Sequence, residues 1–378
     1  MTQLHPRRTG KTSPMSSSPD GPSRRGWLKG AAAGLVPLSL GGVLALPPAR
    51  QAMARVFEPA PALDALRLSG PWLNSAPLDA AALRGKVVVV CFWTYSCINS
   101  LRVLPYLRAW QARYRDHGLV VVGAHTPEFT FEKDLANVRQ AVGDLHVDFP
   151  VVLDSQRRIW NAFGNNAWPA FYFIGGDGKA HGHVDGEGGY DRSERLIQTL
   201  LRQAGGAGVP VGLSPISDVG PEAAADWREL GSGETYIGYG QADAFASPGG
   251  LRPDVQRVYH APPQLPLNRW SLAGAWSAGE EFATSAEPSA RIAHRFHARD
   301  LHMVLAPSAP DRPVRYRVRI DGAAPGPDHG WDVAPDGSGV VRQPRMHQLV
   351  RQTRPVQDRS FEIEFLDPGA RAYVFTFG

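Results

Sequence analysis

Residues 87–100 read VVVVCFWTYSCINS, an unbroken apolar run that passes directly into a short polar turn. Seven consecutive apolar residues, 87–93, are typical of a central strand whose two faces are both covered. From residue 97 to residue 115 the pattern changes, and apolar side chains recur at three- and four-residue intervals, namely Leu101, Leu104, Leu107, Trp110 and Tyr114. The stretch therefore predicts a buried strand, a tight turn and a helix that begins near Cys97.

Cys97 falls at the predicted start of this helix. The first turn of a helix has unpaired backbone N–H groups and the positive end of the helix dipole, and both favour a thiolate over a thiol. We therefore expect a lowered pKa and a nucleophilic sulfur at Cys97. Pro105 interrupts the helical pattern and should bend the helix. Further on, Trp168-Pro169 precedes an apolar run, and we expect a cis peptide bond there, beside the reactive site.

Strands and helices alternate through the first half of the chain. The sequence predicts further strands at 119–124, 170–174 and 180–184, and helices at 132–142, 156–163 and 192–204. This order, which ends in a hairpin and a helix, implies a mixed sheet between helices, an α/β domain at residues 55–205. Residues 206–233 are rich in Gly, Pro, Ala and Ser and are interpreted as a linker.

Beyond residue 233 the apolar period changes to two. Arg alternates with apolar side chains over 314–320, and Glu alternates with apolar side chains over 361–365. Turn residues bound both runs, which is typical of half-buried antiparallel strands. Residues 234–378 are therefore predicted to form an all-β sandwich, in which the Arg and Glu faces make a solvated charge ladder.

The first 54 residues have the layout of an export signal. Paired arginines at 24–25 precede Trp-Leu-Lys, a mildly apolar run follows at 31–46, and Ala-Met-Ala at 52–54 is a small-x-small cleavage site. Paired arginines in this position are typical of twin-arginine export, which predicts a periplasmic protein. No later apolar run approaches the ~18 residues of a membrane span, so we expect none in the mature chain.

The net charge of +4 belongs to this export segment. Residues 1–54 carry seven Lys+Arg and one Asp, so the remainder has a net charge of −2 and gives no reason to expect nucleic-acid binding. Two cysteines exclude a disulfide-rich scaffold and a four-cysteine metal site. Copper delivery is also disfavoured, because the chain has no Cys-x-x-x-Cys pair. No metal or other cofactor is expected.

Four short motifs resemble, as a set, those of one protein family. They are FWTYSCIN at 92–99, HTPEF at 125–129, WPA at 168–170 and GEGGY at 186–190. They resemble the thioredoxin fold of the exported TlpA-like group, and in particular the extracytoplasmic part of DipZ-type cytochrome c biogenesis proteins, a thioredoxin domain followed by a β-sandwich. The resemblance implies disulfide exchange with protein thiols and disulfides. Those proteins also hold a membrane-embedded electron-transfer unit, which this sequence lacks, so a separate reductant is expected.

The sequence departs from this family in the second half of its redox motif. Where the family has Cys-x-x-Cys, this chain has Cys97 and Ser100. A hydroxyl cannot displace a sulfur, so single-thiol chemistry is expected, in which Cys97 attacks and a small thiol, a substrate cysteine or Cys91 resolves the adduct. Ser100 is expected to hydrogen-bond the sulfur. Cys91 stands where thioredoxins carry a buried acid, and it is interpreted either as a resolving thiol or as a small buried apolar residue.

Further site residues follow from the same resemblance. Those expected to contact a substrate are Trp93, Tyr95, Ser96, Trp168 and Pro169. His125 and Glu128 follow the second predicted strand and are expected either to move a proton or to stabilise their loop. Glu187 and Tyr190 are expected to serve as turn and packing residues.

Two other functions stay open at this point. One is a non-catalytic binding protein that keeps the thioredoxin groove and uses the sandwich to hold a partner. The other is a thiol peroxidase, because Thr94-x-x-Cys97 is half of the peroxiredoxin pattern, although Val90 takes the place of its proline. The predicted sandwich also resembles carbohydrate-binding modules, which raises weak glycan binding through ring stacking by Trp270, Trp276 and Trp331.

Overall fold

The computed structural model describes residues 63–68, 70–353 and 355–378. The predicted export segment, 1–54, lies outside the described residues. In the part of the chain that is described, no helix combines the length and the apolar character needed to cross a membrane.

The first part of the described chain forms one mixed sheet with helices packed against it. Its elements are β1 (Trp72–Leu73), β2 (Val87–Trp93), α1 (Ile98–Tyr114), β3 (Leu119–His125), α2 (Leu135–Asp144), β4 (Val151–Leu153), α3 (Arg158–Ala162), β5 (Ala170–Ile174), β6 (Ala180–Asp185) and α4 (Tyr190–Gln203). The strands lie in the order β1-β4-β3-β2-β5-β6, with β2 parallel to β3 and antiparallel to β5. The predicted thioredoxin-like α/β domain is therefore confirmed.

Strand β2 is buried along its whole length because its two faces enter different cores. Side chains at its odd-numbered positions join the apolar residues of α1 and α4. Those at its even-numbered positions join α3 and the 3₁₀ turn Asp64–Leu68. Full burial of each large apolar side chain is worth about 1.5–3 kcal/mol, so both cores require the unbroken apolar run of β2.

Two elements differ from the expectation. The predicted helix at 132–142 is divided into a 3₁₀ turn, Thr130–Lys133, and α2. Helix α2 begins after Asp134 because the Asp134 carboxylate accepts the Ala136 N–H at 2.8 Å, an N-cap bond that pairs a free donor of the first turn. The sequence does not predict β4, because three apolar residues are too few to show a period.

The rest of the described chain is all-β, as predicted, and is called the β-domain below. Its strands are β7 (Thr235–Tyr236), β8 (Gln256–Tyr259), β9 (Trp270–Ala278), β10 (Ala283–Ser285), β11 (Ala290–Phe296), β12 (Asp300–Pro307), β13 (Val314–Ile320), β14 (Ser338–Val341), β15 (Arg345–Arg351), β16 (Arg359–Phe365) and β17 (Ala370–Phe377).

Strand β9 connects the two halves of the β-domain sheet. The main path of hydrogen-bonded strands is β14-β13-β16-β11-β9-β10-β17-β12-β15. Residues 270–273 of β9 pair with β11, whereas 274–278 pair with β8 and β10. Gly274 lies at this change with φ +87°, a backbone conformation that favours glycine. The pairing partners of β9 therefore change at Gly274, where the strand can bend.

The predicted charge ladder is present between β13 and β16. Arg319 lies opposite Glu362 in the register, and its guanidinium is 3.2 Å from the carboxylates of both Glu362 and Glu364. Because these side chains are partly exposed, each pair contributes no more than about 1 kcal/mol.

The β-domain packs against the thioredoxin-like domain through β12, β15 and β17. The buried residues of these strands that join the apolar cluster of α1 are Val304, Ala306, Met346, Tyr373 and Val374. The Tyr373 ring centroid lies 5.1 Å from that of Phe129 and 4.9 Å from that of Phe131. Because both phenylalanines follow β3, the β-domain contacts the sheet edge at which β2 and β3 end.

Candidate functional site

Cys97 is the N-cap residue of α1 and follows the C-terminal end of β2. Its carbonyl oxygen accepts the Leu101 N–H at 3.0 Å, the first bond of the helix. Cys97 is only 8% exposed, and both Cys97 and Cys91 are free thiols. The strand–turn–helix junction therefore places the sulfur inside the protein rather than on its surface.

The surroundings of Cys97 disfavour its thiolate. Burial raises the pKa of the thiol to about 12, and the charges of Glu128 and Glu234 act in the same direction. Hydrogen bonds from the backbone and the side chain of Ser100 lower the pKa, but by less than burial raises it. The lowered pKa expected from the helix N-terminus is therefore wrong for this structure, because the lost hydration of the sulfur outweighs the helix terminus.

Ser100 occupies the place of the second cysteine of the family motif and is fully buried. Its hydroxyl oxygen accepts the Thr94 N–H at 3.3 Å, and its side chain also hydrogen-bonds the Cys97 sulfur. Ser100 therefore joins the end of β2 to the first turn of α1 around the sulfur.

Cys91 lies in the middle of β2, opposite Gly123 of β3 and Phe171 of β5. It is fully buried, and burial raises the pKa of its thiol well above the usual range. These are the surroundings of a small apolar core residue, in which a thiol attacks slowly. Its electrostatics thus favour the packing interpretation of Cys91 over a resolving role.

A cluster of three aromatic rings lies beside the turn that carries Cys97, formed by Trp93, Tyr95 and His125. The His125 ring is stacked on Tyr95 at 5.5 Å and meets Trp93 edge to face at 5.4 Å. His125 Nε2 lies 3.4 Å from Thr94 Oγ1, and burial lowers the pKa of the imidazole to about 3. A neutral, buried imidazole does not exchange protons near pH 7, which favours the loop-stabilising role of His125.

Trp168-Pro169 lies at the same sheet edge as Cys97. The peptide bond between them is cis, as expected. The first residue of β5 pairs with the end of β2, which brings Pro169 beside the turn. The Trp168 indole donates its Nε1–H to the Thr126 carbonyl oxygen at 2.9 Å. The loop after β3 therefore holds the indole of Trp168 in place.

A buried carboxylate, which the sequence did not predict, holds the turn. Glu132 Oε1 accepts the Ser96 hydroxyl at 2.5 Å, and its Oε2 accepts the N–H groups of Glu128 at 2.6 Å and Phe129 at 3.0 Å. Glu132 is fully buried, and burial raises its pKa. A Glu within a predicted helix is typical of a solvated face, so no signal in the sequence distinguishes this one.

The β-domain contributes to the surroundings of Cys97. Tyr236 of β7 donates its hydroxyl to Glu128 Oε1 at 2.6 Å. Burial, together with the charge of Glu132, raises the pKa of Glu128 to about 8. Burial also raises the pKa of Tyr236, and the charges of Glu128, Glu234 and Cys97 add to this effect. These interactions place Cys97, Glu128, Glu234 and Tyr236 in one electrostatically coupled group.

A buried ion pair connects α1 to the GEGGY motif. Arg102 Nη1 lies 3.0 Å from Glu187 Oε1, with both side chains almost fully buried. The Tyr190 ring is stacked on Tyr106 of α1, with 3.5 Å between the ring centroids. The stacking of Tyr190 agrees with its expected packing role, whereas the sequence did not predict the ion pair of Glu187 with Arg102.

A cleft of about 470 Å³ lies between the two domains. Its wall includes Tyr95 and Leu101, which flank Cys97 in the sequence, together with Trp331 and Met346 of the β-domain. Trp331 is 68% exposed, whereas Trp270 and Trp276 are fully buried core residues. Of the three tryptophans considered for ring stacking, only Trp331 is thus accessible.

In the part of the chain that the structure describes, no three His, Cys, Asp or Glu side chains are grouped to hold a metal ion. His294, His302 and His347 of the β-domain are fully buried. Burial lowers their pKa values to about 4, 3 and 3 respectively. They are therefore neutral core residues near pH 7.

Two family models match the chain, the AhpC/TSA family over residues 58–181 and the thioredoxin-like C-terminal domain over residues 232–378. The chain is 33% identical to protein DipZ of Mycobacterium tuberculosis over 312 residues, which are 81% of this chain and 41% of DipZ. The chain thus spans about two fifths of the length of that relative. The predicted resemblance to the DipZ-type region is confirmed.

Shorter proteins match the thioredoxin-like domain alone. Thiol-disulfide oxidoreductase YkuV of Bacillus subtilis is 24% identical over 132 residues, which are 35% of this chain and 88% of YkuV. Among solved structures, a thioredoxin from Neisseria meningitidis is 27% identical, covers 35% of this chain and 87% of its own, and has a TM-score of 0.33. By its name, YkuV is a thiol–disulfide oxidoreductase, and it is the thioredoxin-like domain of this chain that resembles it.

Proposed function

Because the chain joins an AhpC/TSA-family, thioredoxin-like domain to a thioredoxin-like C-terminal domain, we propose that it is a thiol–disulfide oxidoreductase with one reacting thiol. The placement of Cys97 carries this proposal. It lies at the N-terminus of α1, at the sheet edge that holds cis Pro169, with Ser100 in the place of a second cysteine. Ser100 lowers the pKa of the sulfur and so supports the thiolate during attack.

In the proposed reaction the Cys97 thiolate attacks one sulfur of a disulfide. An S–S bond forms to Cys97, the substrate S–S bond breaks, and the other substrate sulfur leaves as a thiolate. Because Ser100 cannot displace a sulfur, a thiol from the substrate or from a separate reductant then attacks the mixed disulfide and releases Cys97. A substrate thiol in this role only rearranges the substrate disulfide, whereas thiols of a separate reductant supply the two electrons for its net reduction.

The burial of Cys97 places a condition on this reaction. The sulfur is 8% exposed, and its pKa of about 12 keeps it protonated at neutral pH. Because residues of the β-domain lie close to it, the proposal requires that a substrate displaces part of this cover. The substrate contacts proposed on the thioredoxin side are Trp93, Tyr95, Ser96, Trp168 and Pro169.

A trapping experiment tests the proposal. Parent protein, Cys97→Ala and Cys91→Ser are compared for insulin reduction with a small thiol and for mixed disulfides captured by acid quenching. We expect activity and adducts in the parent and in Cys91→Ser and neither in Cys97→Ala. If Cys97→Ala behaves like the parent, the non-catalytic binding function replaces this one. Hydrogen peroxide consumption with an external thiol would instead support the thiol peroxidase alternative.

We further propose that the mature protein acts in the periplasm after removal of residues 1–54, with a thioredoxin-like domain at 55–205, a linker at 206–233 and a β-domain at 234–378. The sequence of the export segment supports this location. Mass analysis of the secreted protein tests it, since an intact Met1 would contradict cleavage.

Weak glycan binding is proposed for the cleft at Trp331. An exposed indole beside amide and carboxylate groups, such as Asn137 and Glu222, suits a sugar ring and its hydroxyls. Trp331→Ala should abolish retention on a glycan array. Trp227, which is 60% exposed and does not line the cleft, is the matched control, and equal loss in Trp227→Ala would contradict the site.

A further inference from the structure

We propose that Arg157 selects disulfide substrates that carry an acidic side chain close to the reacting cysteine. The inference rests on the proposed function and adds a class of substrate to it. Arg157 is an exposed residue of the turn between β4 and α3. Its guanidinium lies over the indole of Trp168, with 5.0 Å between the guanidinium carbon and the ring centroid. Because Trp168 precedes the cis bond to Pro169, this contact puts a positive charge at the proposed substrate site.

The order of the strands brings this turn to the sheet edge that holds Cys97. Strand β4 is parallel to β3, and β3 is parallel to β2, so the three strands end at the same edge. Asp154, directly after β4, donates its backbone N–H to the His125 carbonyl oxygen at 2.8 Å. The Asp154 carbonyl oxygen in turn accepts the Arg157 N–H, also at 2.8 Å. The turn that carries Arg157 is therefore bonded to the end of β3.

Three contacts restrain the guanidinium of Arg157. Its Nη2 donates to the Pro127 carbonyl oxygen at 3.0 Å. Its central carbon lies 5.5 Å from the Trp160 ring centroid, in addition to the contact with Trp168. The Trp168 indole is itself held by its bond to the Thr126 carbonyl oxygen. A guanidinium that is already ordered loses little side-chain entropy when it binds a carboxylate, so it suits the recognition of an acidic substrate.

The positive charge of Arg157 is available to a substrate. Within the part of the chain that the structure describes, its guanidinium forms no ion pair with a carboxylate. Its charge acts on Glu128, but the Oε1 of that carboxylate accepts the Tyr236 hydroxyl at 2.6 Å. Burial raises the pKa of Glu128 to about 8, so this group is mostly uncharged at pH 7 and does not neutralise Arg157.

The main chain at Trp168 offers a place for a substrate strand to pair. The Pro169 carbonyl oxygen accepts the Gly186 N–H at 2.7 Å, but neither the N–H nor the carbonyl group of Trp168 forms a hydrogen bond with another described residue. A segment that pairs there points its side chains alternately to two sides. Its side chains lie within a residue or two of the substrate cysteine that meets Cys97. A carboxylate among them can therefore reach the guanidinium over the Trp168 ring.

Activated peptides test the proposal. The Cys91→Ser protein, as parent, is reacted with short capped peptides whose single cysteine carries a 2-thiopyridyl group. The bond between Cys97 and the peptide sulfur forms as 2-thiopyridone leaves, and the absorbance of that product gives the rate. Glu stands at each of the two positions on either side of the peptide cysteine, and peptides with Gln there are the reference. Each rate is divided by that of the same peptide with β-mercaptoethanol, which removes differences in intrinsic reactivity.

We expect the best Glu peptide to react with the parent about 3–5-fold faster than its Gln counterpart at low salt, which is the effect of an exposed ion pair. This rate ratio is called the acidic preference below. It should shrink at high salt, because salt screens exposed charges.

Variants separate the charge of Arg157 from the structure of its turn. Arg157→Gln should reduce the acidic preference to about 1, whereas Arg157→Lys keeps the charge and should retain part of the preference. Arg158→Gln is the matched control, because Arg158 is an exposed neighbour whose guanidinium donates to Gln156 Oε1 at 2.6 Å, and the preference should remain. A purely structural effect of Arg157→Gln would slow both peptides equally. An unchanged preference in that variant, or an equal loss in Arg158→Gln, refutes the inference.

Two further outcomes separate this inference from the proposed function. If the parent reacts with none of the peptides, the proposed function fails and the inference fails with it. If the parent reacts with Glu and Gln peptides at equal rates, only the inference fails. Should Arg157→Gln not fold, peptides with Lys in place of Glu decide the matter without a variant, and a Lys peptide that reacts as fast as the Glu peptide overturns the inference.

Discussion

The Glu132 carboxylate offers the sharpest test of how the Cys97 turn is held. Glu132→Ala removes the acceptor of three hydrogen-bond donors, which are the Ser96 hydroxyl and the N–H groups of Glu128 and Phe129. Each buried donor without a partner costs about 1–3 kcal/mol. Water entering the vacated space recovers part of this, so we expect a loss of about 3–6 kcal/mol. That is a large share of the ~5–15 kcal/mol that stabilises a typical domain.

Equilibrium unfolding in urea, followed by tryptophan fluorescence, measures this loss. Glu281→Ala is the matched control, because the Glu281 carboxylate also accepts two bonds from the same loop, the hydroxyl and N–H of Thr130, but at an exposed position. There water replaces the acceptor, and we expect a loss below about 1 kcal/mol. If the two variants lose equal stability, or if Glu132→Ala loses less than about 1 kcal/mol, the role assigned to Glu132 is refuted.

Three further predictions follow from buried groups. Arg102→Met should cost about 3–5 kcal/mol in urea unfolding because it leaves the Glu187 carboxylate buried without its partner, and Glu187→Gln in the same chain should restore part of the loss. In a Cys91→Ser background at pH 7, iodoacetamide should label Cys97 roughly 10³-fold more slowly in the native protein than in the unfolded chain, because burial raises the pKa of the thiol to about 12. Equal labelling rates would contradict the burial of Cys97. Burial lowers the pKa of His302 from about 6.5 in the unfolded chain to about 3 in the folded protein. Between these values the unfolded chain binds more protons, so the free energy of unfolding falls as the pH drops below 6.5. His302→Gln should reduce this slope by about 1.4 kcal/mol per pH unit, and an unchanged slope would count against the neutral core histidine.

Local patterns were sufficient to predict much of the fold. The apolar run of β2 and the helical spacing after Cys97 are periodic over many residues, and the structure has both elements within one residue of the predicted bounds. The alternation of Arg and Glu with apolar residues likewise predicted β13, β16 and the contacts between their charged faces. The sequence did not predict β4, because these three residues form a strand through their pairing with β3 and show no pattern of their own.

For the candidate site too, local patterns predicted some features, and others depend on tertiary contacts. The sequence pattern predicted the position of Cys97 at the start of α1 and the cis Trp168-Pro169 bond, since each lies at a junction between two elements with a recognisable pattern. The family resemblance drew attention to Ser100. The sequence did not identify the contact from Tyr236 to Glu128, which joins residues 108 positions apart, or the burial of Glu132. A single carboxylate looks the same in a sequence whether water or a ring of hydrogen-bond donors surrounds it.

The chemistry of the two cysteines shows most clearly what each level of description determines. By itself, the sequence determined that Cys97 begins a helix after a buried strand and that Ser100 cannot act as a second thiol. Only the tertiary structure decided the protonation of Cys97, because burial removes water from the sulfur, and the loop after β3 and the β-domain bring the charges of Glu128 and Glu234 near it. The helix terminus is a local property of the chain. Hydration and neighbouring charge depend on segments that meet only when the whole chain has folded.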